Sequence, residues 1–238
     1  MNILAVDAGN SRIKWGLYAD GAWREQSWTP TAQPQLETQW SHLPEPAQVI
    51  VSNVAGTAAE DAVQAACRKW RLQPRIIRAQ QAQCGVSNGY AEPEQLGPDR
   101  WAAMIAARHL CPNHDLQVVQ AGTAVTIDSV DAGGHFRGGL ILPGLNLMLL
   151  ALSRNTAGLE QQAGKFAPFP NNTADAMFSG AANAIAGAVE HSYRQLTASP
   201  LCLLSGGDAD ILLPLLSIPA QRVDNLVLEG LLRIALAT

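Results

Sequence analysis

The sequence predicts an α/β protein made of two similar domains, each with the element order β-β-β-α-β-α-β. Short apolar runs, turn residues and helical stripes follow one another in the same order in each half of the chain. In addition, residues 6–11 (VDAGNS) align with residues 119–124 (VQAGTA). In this alignment Asp7 corresponds to Gln120, so the two copies are offset by 113 residues in a chain of 238. A repeat of this size indicates a duplicated fold with a ligand-binding cleft between the copies.

The first half supplies the predicted first domain, residues 1–110. Residues 2–7 are an apolar run that ends in a turn, and residues 12–19 alternate as a half-buried strand. Asp20-Gly21 predicts a hairpin into a third strand at 22–28. The order continues with a helix at 33–42, a strand at 48–52, a helix opened by a capping box of Thr57 and Glu60, and a strand at 75–78.

The second half supplies the predicted second domain, residues 111–238. Strands are expected at 116–121, 125–130 and 136–142, with turns at Gly122 and at residues 131–134. Helices are expected at 145–154 and 175–196, a buried strand at 201–205, and further helices at 211–216 and 226–237.

Composition excludes several classes of protein. The formal net charge is −4 and no basic stripe is present, which argues against a nucleic-acid partner. The longest apolar run is too short to cross a bilayer, so no membrane association is expected. The four cysteines form no CxxC pair, which argues against a zinc or redox motif. The first residues lack the pattern of a signal peptide, so we expect no leader segment and a cytoplasmic location.

The first turn of the chain carries candidate phosphate-binding residues. Gly9 allows a close approach of the backbone to a phosphate, and the backbone N–H groups around it can form an anion-binding nest. Asn10 and Ser11 add donors, Lys14 offsets phosphate charge, and Asp7 at the end of a strand could hold Mg²⁺ through water. A plain hairpin with a solvated Asp and Lys has the same pattern, so this motif alone leaves both interpretations open.

Two further turns have a similar composition. Gly122 and Thr123 follow the strand that corresponds to the first strand, and could hold the other side of a phosphate chain. A Thr-rich strand is the plain alternative. Ser205-Gly206-Gly207-Asp208 follows a buried strand and could open a slot for adenine or ribose, or could be a simple strand-to-helix turn.

Taken together, these motifs resemble those of the superfamily of acetate and sugar kinases and actin, and the chain is most similar to the type III pantothenate kinases. Five segments carry the resemblance: residues 7–14 (DAGNSRIK), 97–100 (GPDR), 122–128 (GTAVTID), 138–144 (GGLILPG) and 172–173 (NT). The resemblance implies two ribonuclease-H-like (actin-like ATPase) domains with the active site in the cleft between them. It also implies ATP-dependent phosphorylation of pantothenate to 4'-phosphopantothenate, the first step of coenzyme A biosynthesis.

Specific roles follow from the same resemblance. ATP would be bound by residues 7–14 and by Thr123, with Asp99 as the catalytic base. Pantothenate would be bound by the following residues: Tyr90, Gly97, Pro98, Asp99, Arg100 and Thr173. A carboxylate suits the reaction, because an alcohol is a poor nucleophile until its proton is accepted.

Each acceptor-site residue also has a structural alternative. Asp99 could be an N-cap or first-turn acid of the helix that follows, and both roles can coexist. Arg100 could bind the substrate carboxylate or support the loop by an internal ion pair. Tyr90 could be a pocket wall or a loop anchor.

Gln120 departs from the family pattern, because family members often have an Asp there that is associated with a monovalent cation. A neutral amide should bind K⁺ or NH₄⁺ weakly, which puts a cation requirement in doubt. The resemblance further implies a homodimer. The small residues of the long helix at 175–196 are compatible with one, although packing within the domain explains them equally well.

Two other functions compete with the kinase. One is a non-catalytic, nucleotide-binding accessory factor of transcription on the same scaffold, which would be expected to lose Asp99 or Arg100. The other is a kinase for a different acceptor such as a sugar, although sugar kinases are usually larger. Retention of both residues favours the pantothenate kinase.

Overall fold

The computed structural model describes residues 2–156, 159, 162–196 and 200–237, which divide into two compact units. Unit 1 consists of Met1–Pro112 and Asn225–Thr238, and unit 2 is Asn113–Asp224. The last helix therefore groups with unit 1, whereas the predicted division into domains 1–110 and 111–238 assigned it to the second half. The domain boundary between residues 110 and 111 therefore stays a prediction.

Unit 1 is built on a five-stranded mixed sheet with the order β3-β2-β1-β4-β5. Its strands are β1 (Ile3–Ala8), β2 (Arg12–Ala19), β3 (Ala22–Pro30), β4 (Gln48–Asn53) and β5 (Arg75–Ile76). Its helices within the first half are α1 (Leu36–Trp40), α2 (Thr57–Cys67) and α3 (Pro98–Leu110). A small hairpin of β6 (Ala82–Gln83) and β7 (Val86–Ser87), which the sequence did not predict, precedes α3.

Unit 2 has a sheet with the same topology, in the order β10-β9-β8-β11-β12. Its strands are β8 (Leu116–Ala121), β9 (Ala124–Val130), β10 (Phe136–Pro143), β11 (Leu201–Ser205) and β12 (Ala220–Arg222). Its helices are α4 (Leu145–Asn155), α5 (Thr173–Tyr193) and α6 (Ala209–Leu212). Because both sheets have the same strand order, the predicted duplicated α/β fold is confirmed.

The two faces of the unit 1 sheet bury different elements. Leu4, Val6 and Ala8 of β1 point into an apolar core together with residues of α1 and α2. Side chains alternate along a strand, so Asp7 lies on the opposite face. That face packs against α3 and against the last helix, α7 (Leu226–Leu236).

Helix α3 and helix α7 pack closely at Gly230. A Cβ atom at Gly230 would lie 1.8 Å from the carbonyl oxygen of Ala102, so only glycine allows this approach of the two backbones. The contact fixes α3 on the sheet, and α3 begins at the proposed acceptor motif.

One local prediction was wrong. The N-cap of α2 is Gly56 at φ +86°, and no side chain caps this helix, so Thr57 and Glu60 do not form a capping box. Thr57 is instead the first helical residue. None of the helices in the described ranges is both long enough and apolar enough to cross a membrane.

Candidate active site

Three polar side chains lie in a row across the unit 1 sheet. Asp7 of β1 is directly opposite Lys14 of β2 and opposite Ser52 of β4. Residues that pair across neighbouring strands point to the same face, so all three face the side covered by α3 and α7. The carboxyl end of β1 therefore presents an acid flanked by a cation and a hydroxyl.

The turn after β1 is held by backbone hydrogen bonds. The N–H of Gly9 donates to the Arg12 carbonyl at 3.1 Å, and the Thr31 hydroxyl donates to the Gly9 carbonyl at 2.7 Å. This places Asn10 and Ser11 at the exposed tip of the turn. A nest of N–H groups at such a tip suits an anion.

Helix α3 places Asp99 in its first turn. Gly97 is the N-cap and Pro98 is the first helical residue, so Asp99 is a first-turn acid and not the N-cap. The backbone N–H of Arg100 donates to Oδ1 of Asp99 at 2.8 Å. A Cβ atom at Gly97 would lie 2.6 Å from that same oxygen, so the glycine leaves the space in which the carboxylate sits.

Asp7 and Asp99 both have raised pKa values, and the charge of Asp99 contributes to the rise at Asp7. Burial raises the pKa of Asp7 to about 7; the negative charge of Asp99 adds to the rise, and Lys14 opposes it. Burial also raises the pKa of Asp99, while the hydrogen bond from the Arg100 N–H and the charge of Arg100 lower it. Two desolvated carboxyl groups on one face, one of them titrating near neutral pH, are suited to proton transfer.

Tyr90 and Arg100 are joined beside this pair. The guanidinium of Arg100, only 4% exposed, donates to the Tyr90 hydroxyl at 3.1 Å and lies 5.8 Å from the centre of its ring. Buried Asn88 holds the loop, since its Oδ1 accepts from the Tyr90 N–H at 3.0 Å and its Nδ2 donates to the Pro93 carbonyl at 3.2 Å. Sequence reasoning did not identify Asn88, although the Asn88-Gly89 pair is a turn signal.

Ser52 was also missed by sequence reasoning. It has no exposed surface, and its Oγ has no hydrogen-bond partner in the part of the chain that the structure describes. A buried hydroxyl in this state costs about 1–3 kcal/mol. The available signal was a serine directly after the apolar run of residues 49–51.

The corresponding turn of unit 2 is braced by two glycines. Gly122 N–H donates to the Ala124 carbonyl at 3.1 Å, and Gly144 N–H donates to the Thr123 carbonyl at 2.9 Å. A Cβ atom at Gly144 would lie 2.1 Å from the Gly122 carbonyl oxygen, and one at Gly206 would lie 2.1 Å from the Ala121 carbonyl oxygen. The turns at Gly122 and Gly206 and the end of β10 at Gly144 therefore meet at the end of β8, with Thr123 exposed.

Gln120 has the same position in unit 2 that Asp7 has in unit 1. It pairs with Thr126 of β9 and Ser205 of β11, as Asp7 pairs with Lys14 and Ser52. Its Nε2 and the Thr126 Oγ1 are buried, and neither finds a hydrogen-bond partner among the described residues. The site thus offers an amide and a hydroxyl where unit 1 has charged groups.

Thr173 is the first residue of α5 in unit 2 and is exposed. Its helix begins with a side-chain cap, because Oδ1 of Asn172 accepts from the Asp175 N–H at 2.9 Å. Of the predicted site residues, unit 1 brings together those near Asp7 and Asp99, whereas Gly122, Thr123, Gln120 and Thr173 belong to unit 2. No group of three or more His, Cys, Asp or Glu side chains within the described ranges forms a metal cluster.

The chain is similar to known proteins over nearly its whole length. The family model described as type III pantothenate kinase matches residues 3–195. A type III pantothenate kinase of Nitrosospira multiformis is 44% identical, covering 99% of this chain and 92% of its own, and one of Aromatoleum aromaticum is 47% identical, covering 98% and 97%.

A solved structure supports the fold. The activator of 2-hydroxyisocaproyl-CoA dehydratase from Clostridium difficile, with bound ADPNP, has a TM-score of 0.59 at 12% identity, covering 100% of this chain and 94% of its own. Identity this low shows the fold alone. The expected pair of ribonuclease-H-like domains of the actin-like ATPase type is confirmed.

Proposed function

The chain belongs to the type III pantothenate kinase family, and we propose that Asp99 is the general base of its reaction. The enzyme phosphorylates pantothenate with ATP to give 4'-phosphopantothenate in coenzyme A biosynthesis. In this transfer the hydroxyl oxygen of pantothenate bonds to the γ-phosphorus of ATP, the bond between that phosphorus and the bridging oxygen breaks, and ADP leaves. The hydroxyl proton has to be accepted by a base.

The observation that carries the proposal is the setting of the Asp99 carboxylate. Oδ1 is oriented by the Arg100 N–H, Gly97 leaves room for it, and burial raises its pKa. A raised pKa makes the carboxylate a stronger proton acceptor once it is ionised. Its hydrogen bond uses one lone pair, so the other oxygen remains suitable for the hydroxyl of the substrate.

We assign the acceptor pocket to the loop before α3. Arg100 supports this loop through Tyr90, and its guanidinium suits the carboxylate of pantothenate, because a planar fork can bind a carboxylate with two hydrogen bonds. Gly97 and Pro98 shape the wall of this pocket. Thr173 of α5 is proposed as a further pantothenate contact.

The ATP phosphates are assigned to the glycine turns. In unit 1 the proposed residues are Asp7, Gly9, Asn10, Ser11 and Lys14; in unit 2 they are Gly122 and Thr123. The exposed tip of the unit 1 turn and the cation at Lys14 support this assignment.

Asp7 fits a Mg²⁺ ion, which prefers oxygen ligands and retains water. Asp7 would hold the ion through water, and the ion, when bound, supplies positive charge that offsets the charge of the phosphates. Gln120 fits a monovalent cation site poorly, because it offers the neutral carbonyl oxygen of an amide in place of a carboxylate. We therefore propose that K⁺ or NH₄⁺ binds weakly at this position and that turnover depends little on either ion.

A cytoplasmic homodimer completes the proposal. Several large apolar side chains of unit 2 are exposed on β10, on α4 and on the segment before α5: Leu140, Ile141, Leu147, Leu152, Phe166 and Phe169. Exposed apolar surface of this kind is typical of a protein interface. Light scattering of the purified chain should give twice the mass of the 25.3 kDa protomer, and a monomer would contradict the dimer.

A non-catalytic accessory role in transcription is not favoured. Relatives at 44% and 47% identity carry the kinase name over nearly the whole chain. The acceptor residues that such a factor would be expected to lose, Asp99 and Arg100, are present and ordered by hydrogen bonds.

The test of the base is ADP release from Mg-ATP, measured with and without pantothenate. Asp99→Asn should lower the pantothenate-dependent kcat by a factor of about 100 or more, because general-base catalysis contributes about 10²–10⁴-fold. Glu94→Gln is the matched control, since Glu94 is an exposed acid of the same loop in an exposed ion pair with Arg78. Equal turnover in Asp99→Asn and Glu94→Gln would reduce Asp99 to a structural acid.

A further inference from the structure

The side chain of Ser52 has no structural role in its own strand. It is completely buried in β4, and its Oγ lacks a hydrogen-bond partner throughout the described residues. Buried polar groups are nearly always paired, and an unpaired one calls for a specific explanation. An alanine would fill almost the same space without a buried oxygen, so packing alone does not account for the serine.

The position of Ser52 points to Asp7. The two residues are register partners on adjacent parallel strands, and both side chains are on the face covered by α3 and α7. Adjacent strands are about 4.8 Å apart, which is close enough for a serine hydroxyl in a suitable χ1 rotamer to reach the carboxylate of its register partner. The hydroxyl hydrogen turns freely and can be donated to an ionised carboxylate.

We propose that Ser52 is a positioning residue for phosphoryl transfer, which donates a hydrogen bond to the Asp7 carboxylate and fixes its orientation. Lys14 flanks Asp7 on the other side, so β2 and β4 together hold the acid between a cation and a hydroxyl donor. The inference rests on the proposed role of Asp7 in the nucleotide site. It adds Ser52 of β4 to a proposed nucleotide site whose other residues lie in or next to the glycine turns.

The test combines Ser52→Ala and Ser52→Thr with two readouts, steady-state kinetics and thermal unfolding. Ser52→Ala should lower kcat about tenfold with each KM within twofold of wild type, because orientation of the carboxylate matters most in the transition state. Its unfolding midpoint without nucleotide should be unchanged or higher, since the oxygen that is removed is buried and unpaired in the ligand-free chain. Ser52→Thr keeps the hydroxyl and should recover kcat to within threefold of wild type.

Two further variants test whether Asp7 is the hydrogen-bond partner of Ser52 and distinguish an effect on catalysis from an effect on folding. In an Asp7→Ala background the side-chain acceptor is gone, so Ser52→Ala should change kcat less than twofold. Ser179→Ala removes a hydroxyl that does have a partner, the Ala167 N–H at 3.0 Å, and should lower the unfolding midpoint without changing kcat.

Three results would overturn the inference. They are a wild-type kcat in Ser52→Ala, a loss of kcat that accompanies a lower unfolding midpoint, and a further tenfold loss in the Asp7→Ala background. A failure of the proposed base is seen separately, because it appears in Asp99→Asn whatever the Ser52 variants do.

Discussion

The substitution Gly97→Ala should move the Asp99 carboxylate while leaving residue 99 an aspartate, so it tests whether the position of this group matters for catalysis. The added Cβ would lie 2.6 Å from Oδ1 of Asp99, whereas real Cβ contacts essentially never fall below 3.0 Å. The obstructing atom is the end of a side chain and not backbone, so the carboxylate moves and the helix stays. The backbone of Gly97 has φ −55° and ψ 134°, which alanine adopts without strain.

The size of the effect follows from the hydrogen bond that the movement breaks. Oδ1 accepts from the Arg100 N–H at 2.8 Å, and a hydrogen bond to a charged group contributes about 1.5–3 kcal/mol. If the loss of this hydrogen bond raises the activation free energy by the same amount, kcat falls by a factor of about 10 to 100. The free energy of unfolding should fall by no more than this hydrogen bond contributes, about 1.5–3 kcal/mol, so the variant stays folded in the assay.

The assay is ADP release with pantothenate, together with urea unfolding of the same preparation. Gly187→Ala is the control, because this helical glycine has open space around its Cβ position. It should keep wild-type kcat and gain up to about 1 kcal/mol of stability. A wild-type kcat in Gly97→Ala would refute the account of how Asp99 is held, as would a loss that is explained by unfolding.

Three further changes give distinct outcomes. Gly230→Ala puts a Cβ 1.8 Å from the Ala102 carbonyl oxygen and should lower the free energy of unfolding by more than about 3 kcal/mol in urea titrations, because two helix backbones must separate. Tyr90→Phe removes the acceptor of the Arg100 hydrogen bond and should raise the KM for pantothenate about three- to tenfold with an unchanged KM for ATP. Folding raises the pKa of Asp7 to about 7, so the folded chain keeps a proton that the unfolded chain has released above about pH 4. The free energy of unfolding should therefore fall as the pH rises from about 4 to 7, by at most about 4 kcal/mol, and urea unfolding of Asp7→Asn should lack this fall.

Most strands of the two five-stranded sheets could be predicted from the sequence because an apolar run or an apolar alternation is a local pattern. β12 and the β6–β7 hairpin were missed, since strands of two or three residues have no periodic pattern. The capping box failed because Gly56 adopts a positive φ that the sequence pattern does not specify. Helix α7 is buried on most of its surface, so its pattern could not indicate which sheet it packs on.

The candidate site was predictable where its residues lie within one turn. Asp7, Gly9 and Lys14 share a hairpin, so their proximity follows from local geometry. Ser52 was missed because its relation to Asp7 exists only once β4 pairs with β1, across 45 residues of chain. The pairing of Arg100 with Tyr90 likewise depends on how the loop folds back on α3.

The most direct test of the central claim is the rate of a single turnover. Rapid quench of enzyme in excess over labelled ATP, with saturating pantothenate, measures the transfer of the γ-phosphoryl group itself. For Asp99→Asn we predict a transfer rate lower by a factor of about 100 or more, with wild-type ATP affinity, because the base acts only in the transition state. A transfer rate equal to that of wild type would contradict the assignment of Asp99 as the base.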